Sequence, residues 1–230
     1  MDKLVLKKEF FGGILYDRKY KENLCIDKDT YQILEMLDLN NLEYTKNIDY
    51  IKENIEESDA LEIFRELIEN GIISLNVERC KQDNIPGNYL SAPFRVFYDI
   101  TYKCNLRCKH CYGDFKLENQ LTLSLEALDN LIEQAVKLNV YQFDLTGGEP
   151  LLYKDLEYLL SKLYDAGMLV TIFSNLTIQS NKVLDLFEKY CVKKIITSVD
   201  SNIAKNHDEF RGMTGALDKT INNINKLKQT

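Results

Sequence analysis

Residues 104–111 read CNLRCKHC, which places three of the chain's six cysteines in one short turn. Cys104, Cys108 and Cys111 are spaced so that a single loop can direct three sulfurs toward a common centre. Thiolates are soft ligands, and three of them suit zinc or an iron–sulfur cluster. A zinc site using Cys104, Cys108, His110 and Cys111 needs adjacent residues 110 and 111 to converge on one ion, which is awkward. No second Cys or His pair lies nearby to complete it. A chance group of core thiols fits poorly with Lys103, Arg107 and Lys109, which make the loop polar and favour thiolate over thiol. Three cysteines on a four-iron cluster leave one iron without a protein ligand, and an open coordination position is a place for chemistry. The other cysteines, Cys25, Cys80 and Cys191, have no ligand spacing and read as buried or incidental thiols.

A second stretch, LTGGEP at 145–150, ends an apolar run. Gly147 and Gly148 leave backbone open to close approach, and Glu149 adds a carboxylate. Carbonyls and a carboxylate there could hold an ammonium group. Taken alone, the same residues read as a strand-ending turn with a proline starting the next helix. Further strand ends offer Ser174 and Asn175 in FSN, and Ser198 and Asp200 in TSVDS.

The elements that must position these residues follow a regular rhythm after Pro93. FRVFYDIT, YQFDLTGG, LVTIFSN and KKIITSVD read as strands. Amphipathic helices follow at LSLEALDNLIEQAVKLN, LEYLLSKLYDAG, NKVLDLFEKY and ALDKTINNINKLK. Leu128, Leu131, Ile132, Ala135 and Val136 form the apolar stripe of the first, and Ile221, Ile224 and Leu227 that of the last. Alternation of this kind implies an α/β fold with parallel strands and right-handed crossovers. Open sheet and barrel are not separated by the pattern, but both gather ligands at the C-terminal ends of their strands. The cysteine loop and the glycine pair both sit at such ends.

Residues 1–78 differ. KLVLKKEF, GGILYD and NLCID read as short strands. KDTYQILEML reads as a helix with Tyr31, Leu34 and Leu37 on one face and Asp27 or Asp29 at its start. Helices at NIDYIKENI and DALEIFRELIEN follow, the last stopped by Gly71, and then the strand IISLNV. Residues 79–92 read as a linker, with a Pro-Gly turn at Pro86–Gly87 and a second proline, Pro93, directly after them. The net charge of −7 and pI near 5.1 argue against a nucleic-acid surface. The N-terminus has no apolar run long enough for a signal peptide, and no segment approaches the ~18 apolar residues of a membrane helix. The expectation is a cytoplasmic protein with reduced thiols and no membrane or nucleic-acid partner.

The pattern C-x-x-x-C-x-x-C after the first strand of a strand–helix series, followed one strand later by GGEP, resembles the radical S-adenosylmethionine (radical SAM) enzymes over residues 93–230. The position before the third cysteine, commonly aromatic in that family, is His110. The resemblance implies a partial (β/α) barrel whose Cys104, Cys108 and Cys111 hold a [4Fe-4S] cluster. It further implies that Gly147, Gly148 and Glu149 bind the amino group of SAM, and that Ser174, Asn175, Ser198 and Arg211 of HDEFRG complete the cofactor site. It implies one-electron cleavage of SAM to methionine and a 5′-deoxyadenosyl radical, driven by a reductant such as flavodoxin or ferredoxin. The radical takes a hydrogen atom from substrate, and no protein nucleophile or base is required. The segment GMTGALDKTINNI is also similar to peptide-modifying members with SPASM-type C-terminal domains.

By order and pattern, residues 1–78 resemble the PqqD-like module of enzymes that modify ribosomally made peptides, a small winged-helix-like α+β domain. That resemblance implies binding of a precursor peptide's leader region by strand addition, for which the edge strand ENLCI is a candidate. The alternative is a domain that only packs on its neighbour. Family barrels usually carry about six strand–helix units, and this chain stops after four. A chain that is truncated, split or completed by a partner is therefore expected. Three functional readings follow: a radical SAM peptide maturase, a non-catalytic leader-binding subunit, and a radical SAM enzyme with a non-peptide substrate.

Overall fold

The computed structural model describes residues 3–17, 22–36, 76–80, 90–178 and 180–228. The chain divides into two units, Met1–Pro93 and Phe94–Thr230.

In the first unit, β1 (Lys3–Glu9), β2 (Gly12–Asp17) and β3 (Glu22–Ile26) form an antiparallel meander in which Leu6 pairs with Leu15 and Ile14 with Cys25. The next strand, β4 (Asn76–Cys80), joins β1 in parallel, giving the order β3-β2-β1-β4. The sequence pattern assigns residues 79 and 80 to a linker, but they lie inside this strand. Glu78, Arg79 and Cys80 carry no apolar alternation, and their extension comes from pairing with Val5, Leu6 and Lys7. Helix α1 (Lys28–Met36) begins where the Asp27 carboxylate accepts the Thr30 N–H at 2.8 Å, and it buries Tyr31 and Leu34. Leu37 and the two further helices expected at NIDYIKENI and DALEIFRELIEN lie outside the described residues.

The second unit is a parallel sheet of β5 (Arg95–Thr101), β6 (Gln142–Gly147), β7 (Leu169–Phe173) and β8 (Lys194–Ile196) in the order β5-β6-β7-β8. The order never reverses, so the sheet has no switch point of the doubly wound kind. Successive right-handed crossovers then lay their helices on a single face. Those helices are α2 (Leu125–Lys137), α3 (Leu156–Asp165) and α4 (Asn181–Lys189). Ile100, Phe143, Leu145, Val170 and Ile172 meet Leu128 and Ile132 of α2, Leu159, Leu160 and Leu163 of α3, and Leu184 and Phe187 of α4. Most of these side chains are completely buried, each contributing on the order of 1.5–3 kcal/mol. The alternate residues belong to the other face. There the Phe97 and Phe173 rings lie 5.8 Å apart, and Gln142 donates to Asp144 at 2.6 Å.

Two helices follow β8. Helix α6 (Ala216–Leu227) agrees with the expected element and with two of the three residues of its expected stripe. Leu217, Thr220 and Asn223 are buried, Ile224 and Leu227 are partly so, and Ile221 is exposed. Helix α5 (Ala204–Arg211, AKNHDEFR) has no apolar stripe from which a helix could be inferred.

Candidate functional site

The cysteine loop leaves β5 after Thr101 and is held along its backbone. The Cys104 N–H donates to Lys116 O at 3.3 Å, and the Lys116 N–H to Tyr102 O at 3.1 Å. On the far side, the N–H groups of Arg107 and Lys109 donate to the carbonyls of Arg211 and Phe210 at 3.1 and 2.9 Å. Carbonyls in the last turn of a helix have no partner within it, so the C-terminus of α5 is a ready clamp for the loop. The rings of His110 and Phe210 stack at 4.7 Å, 7° from parallel, and add to that clamp.

The glycine pair closes on the loop from β6. Gly148 N–H donates to Thr101 O and Glu149 N–H to Lys103 O, both at 2.8 Å. A Cβ on Gly148 would stand 2.3 Å from Lys103 O and 3.1 Å from the Cys104 Cβ. At Gly147, φ is 111°, and a Cβ would stand 2.5 Å from Thr101 O. Any side chain at either position would push the two strand ends apart.

A cavity of about 220 Å³ opens over these strand ends. Cys104, Cys108, Cys111, His110, Gly147, Gly148, Ser174, Asn175, Ser198 and Arg211 all line it, and Tyr112, Thr146 and Phe173 complete the wall near β6 and β7. Ten of the sequence-derived candidates are thus brought together from four strand ends and one helix. Glu149 is the exception. It is completely buried and does not line the cavity. Its carboxylate accepts from Ser174 Oγ at 2.7 Å, Leu151 N at 3.0 Å and Asn175 N at 2.8 Å. Burial pushes its pKa up to about 7 against the pull of those three donors. In this structure Glu149 therefore fixes the end of β7 rather than presenting a carboxylate to a ligand.

The basic residues of the loop do not lower the pKa of Cys104, contrary to the sequence expectation. Burial pushes that thiol up to about 11, with the Leu106 N–H on its sulfur pulling the other way. The cations are engaged elsewhere. Arg107 donates to the carbonyls of Cys104 and Leu106 and pairs with Glu118 at 3.6 Å, and Lys109 pairs with Glu209 at 2.8 Å. A metal held by Cys104 would favour the thiolate there through its positive charge. Among the described residues, no three His, Cys, Asp or Glu side chains converge on one ion position. A single zinc needs such convergence, whereas a four-iron cluster takes each cysteine at a different corner. Three cysteines lining one cavity fit a cluster that takes one thiolate at each of three corners.

Several supporting residues went unrecognised in the sequence. Asn105 donates to Thr177 at 2.8 Å and accepts from Asn175 at 3.1 Å, linking the cysteine loop to the end of β7. Thr220 donates to Asn175 O, and Asn223 to the carbonyls of Leu176 and Ile178, all at 2.8 Å. Asp200, offered by the sequence only as a strand-end residue, takes the Arg211 guanidinium in a two-pronged pair at 2.6 and 3.0 Å.

Residues 98–230 match the Radical SAM superfamily. Among curated proteins, the chain is 29% identical over 140 residues to an AdoMet-dependent heme synthase of Methanosarcina barkeri, covering 60% of this chain and 40% of that protein. It is 28% identical over 141 residues to the antilisterial bacteriocin subtilosin biosynthesis protein AlbA of Bacillus subtilis, covering 61% and 32%. The chain thus spans less than half the length of either relative. Streptococcus suis SuiB, solved bound to precursor peptide SuiA, superposes with a TM-score of 0.64 at 20% identity, covering all of this chain and 54% of that one. With a matched region exceeding half its length and a cysteine loop closed by a glycine pair, the chain belongs to the radical SAM superfamily.

Proposed function

We propose that this chain reductively cleaves SAM at a [4Fe-4S] cluster held by Cys104, Cys108 and Cys111, and modifies a ribosomally made precursor peptide. The observation that carries the first part is the convergence of the three cysteines and the Gly147–Gly148 backbone on one cavity. When bound, the cluster and SAM supply one-electron bond cleavage and a radical that takes hydrogen from substrate. The chain's own residues do the positioning. Gly147 and Gly148 bring polar backbone to the cavity wall, Ser174 and Asn175 are held there by Glu149, and His110 offers a ring braced by Phe210. The apolar side chains of Leu106, Phe115 and Phe173 limit water at the same wall.

Similarity to AlbA supports the peptide substrate. So does β3, which lies at the edge of its sheet among the described residues and presents an unpaired side for strand addition by a leader peptide. In this reading residues 1–80, through β4, are a PqqD-like, winged-helix-like recognition domain, residues 81–92 a linker and residues 93–230 the catalytic core. A flavodoxin or ferredoxin in a reducing cytoplasm delivers the electron. Anaerobic reconstitution should give brown protein with about four irons, lost on Cys104→Ala, and 5′-deoxyadenosine under reductant. Iron-free protein after reconstitution would refute the cluster, and hydrogen-exchange protection of β3 by candidate leader peptides tests the partner. Similarity to the heme synthase favours a second reading, a non-peptide substrate. Turnover that survives deletion of residues 1–93 would select it.

A further inference from the structure

Arg211 is 9% exposed, lines the cavity, and divides its guanidinium between two partners. Nε and Nη2 donate to the two oxygens of Asp200 at 2.6 and 3.0 Å, and Nη1 donates to the Cys108 sulfur at 3.7 Å. Asp200 is itself braced, because its N–H donates to Nδ1 of the buried His207 at 3.3 Å. The Arg211 carbonyl meanwhile accepts from the Arg107 N–H inside the cysteine loop. One residue thus supports the loop through its backbone and places a fixed positive charge on a ligand sulfur through its side chain. Two other loop cations are half exposed and bond elsewhere: Arg107 donates to the carbonyls of Cys104 and Leu106 and pairs with Glu118, and Lys109 pairs with Glu209.

We infer that Arg211, held as a rigid fork by Asp200, sets the reduction potential of the cluster through its N–H bond to Cys108. The inference rests on the cluster proposed above. Reduction adds one negative charge to the cluster, so a buried cation and a hydrogen bond on a ligand sulfur stabilise the reduced form and raise the potential. Asp200 acts in the opposite direction through its charge while keeping the guanidinium aimed. Arginine suits this position because its planar fork engages a carboxylate with two donors and still leaves a third for the sulfur. This is a positioning and tuning role, separate from any contact Arg211 makes with a bound cofactor.

The test is an EPR-monitored redox titration of the anaerobically reconstituted chain without SAM, so that cofactor contacts do not enter. Arg211→Gln should hold a normal iron complement yet show a reduced-to-oxidised ratio about tenfold lower at a fixed potential, about 59 mV for one electron. Arg211→Lys keeps the charge but loses the fork, and should fall between that variant and the parent. A packing defect alone would shift Arg211→Lys as much as Arg211→Gln. Equal potentials for the parent and Arg211→Gln, or equal shifts for Arg211→Lys and Arg211→Gln, overturn the inference and leave the cluster assignment standing. If Arg211→Gln holds no iron, Arg211→Lys decides: a potential below the parent's supports the inference and an unchanged one overturns it. Absence of iron in the parent would instead remove the proposed function itself.

Discussion

Two adjacent residues, Gly148 and Glu149, show how little room the site leaves. A methyl group at position 148 would overlap Lys103 O and crowd the Cys104 Cβ, and both belong to backbone that cannot swing aside. Gly148→Ala is therefore expected to cost about 2–3 kcal/mol by overpacking and to displace Cys104. Lower stability in urea together with iron loss after reconstitution checks this, and an alanine variant with normal iron would contradict it. Glu149 answers to pH. Its folded pKa, near 7, lies above the ordinary 4.5, so the unfolded chain ionises first as pH rises. The stability it contributes is full below pH 4.5 and is lost as pH climbs toward 7. Glutamine cannot ionise, so Glu149→Gln lacks this pH-dependent loss. The stability gap between parent and Glu149→Gln should therefore shift against the parent by about 2.5 kcal/mol from pH 5 to pH 8. Paired urea curves at the two values measure it. A gap that stays constant would mean that the carboxylate remains ionised throughout.

At the scale of elements, the site is a junction of loops held by helix ends. The C-terminus of α5 grips the cysteine loop, and one polar face of α6 grips the segment after β7. Asn223 is completely buried and satisfies two carbonyls that have left the sheet. Asn223→Ala should cost about 2–4 kcal/mol, since two buried acceptors lose their donor. It should also raise hydrogen exchange at residues 175–178 before it affects β5 or β6. Unchanged exchange there would show that the segment is held by Asn105 and Glu149 instead. These elements also show the limits of periodicity. Helix α6 is legible as a helix, and Ile224 and Leu227 of its expected stripe pack on the core. Ile221 is exposed, however, and the buried face extends to Thr220 and Asn223, which are buried for their hydrogen bonds rather than for transfer from water. The same holds for α5. With no apolar stripe, its reason for being helical lies in the loop that it clamps. The strand expected over KKIITSVD shortens to Lys194–Ile196, since the residues beyond carry Ser198 to the cavity and Asp200 to Arg211.

For the whole molecule, two units with separate sheets imply two separate sources of stability. The second unit has its own continuous core beneath β5–β8 and all three cysteine ligands. A fragment of residues 94–230 is therefore expected to fold by circular dichroism and to take up iron, with binding of a candidate leader peptide lost. A fragment that is unfolded would show that the first unit contributes to the core and not only to recognition. Among the described residues no helix is long and apolar enough to cross a membrane.

The amino-acid sequence by itself determined the superfamily, the alternating strand–helix order, and ten of the residues that line the cavity. It could do so because ligand spacing, glycine placement and apolar period are local properties of a chain. Only the tertiary structure decided which polar groups those residues spend on one another. Glu149 turns inward to β7, Arg107 divides between loop carbonyls and Glu118, Lys109 turns outward to Glu209, and Arg211 reaches Cys108 from 103 residues away. Such pairings depend on which strand ends and helix ends meet in space, and no periodicity along the chain records that.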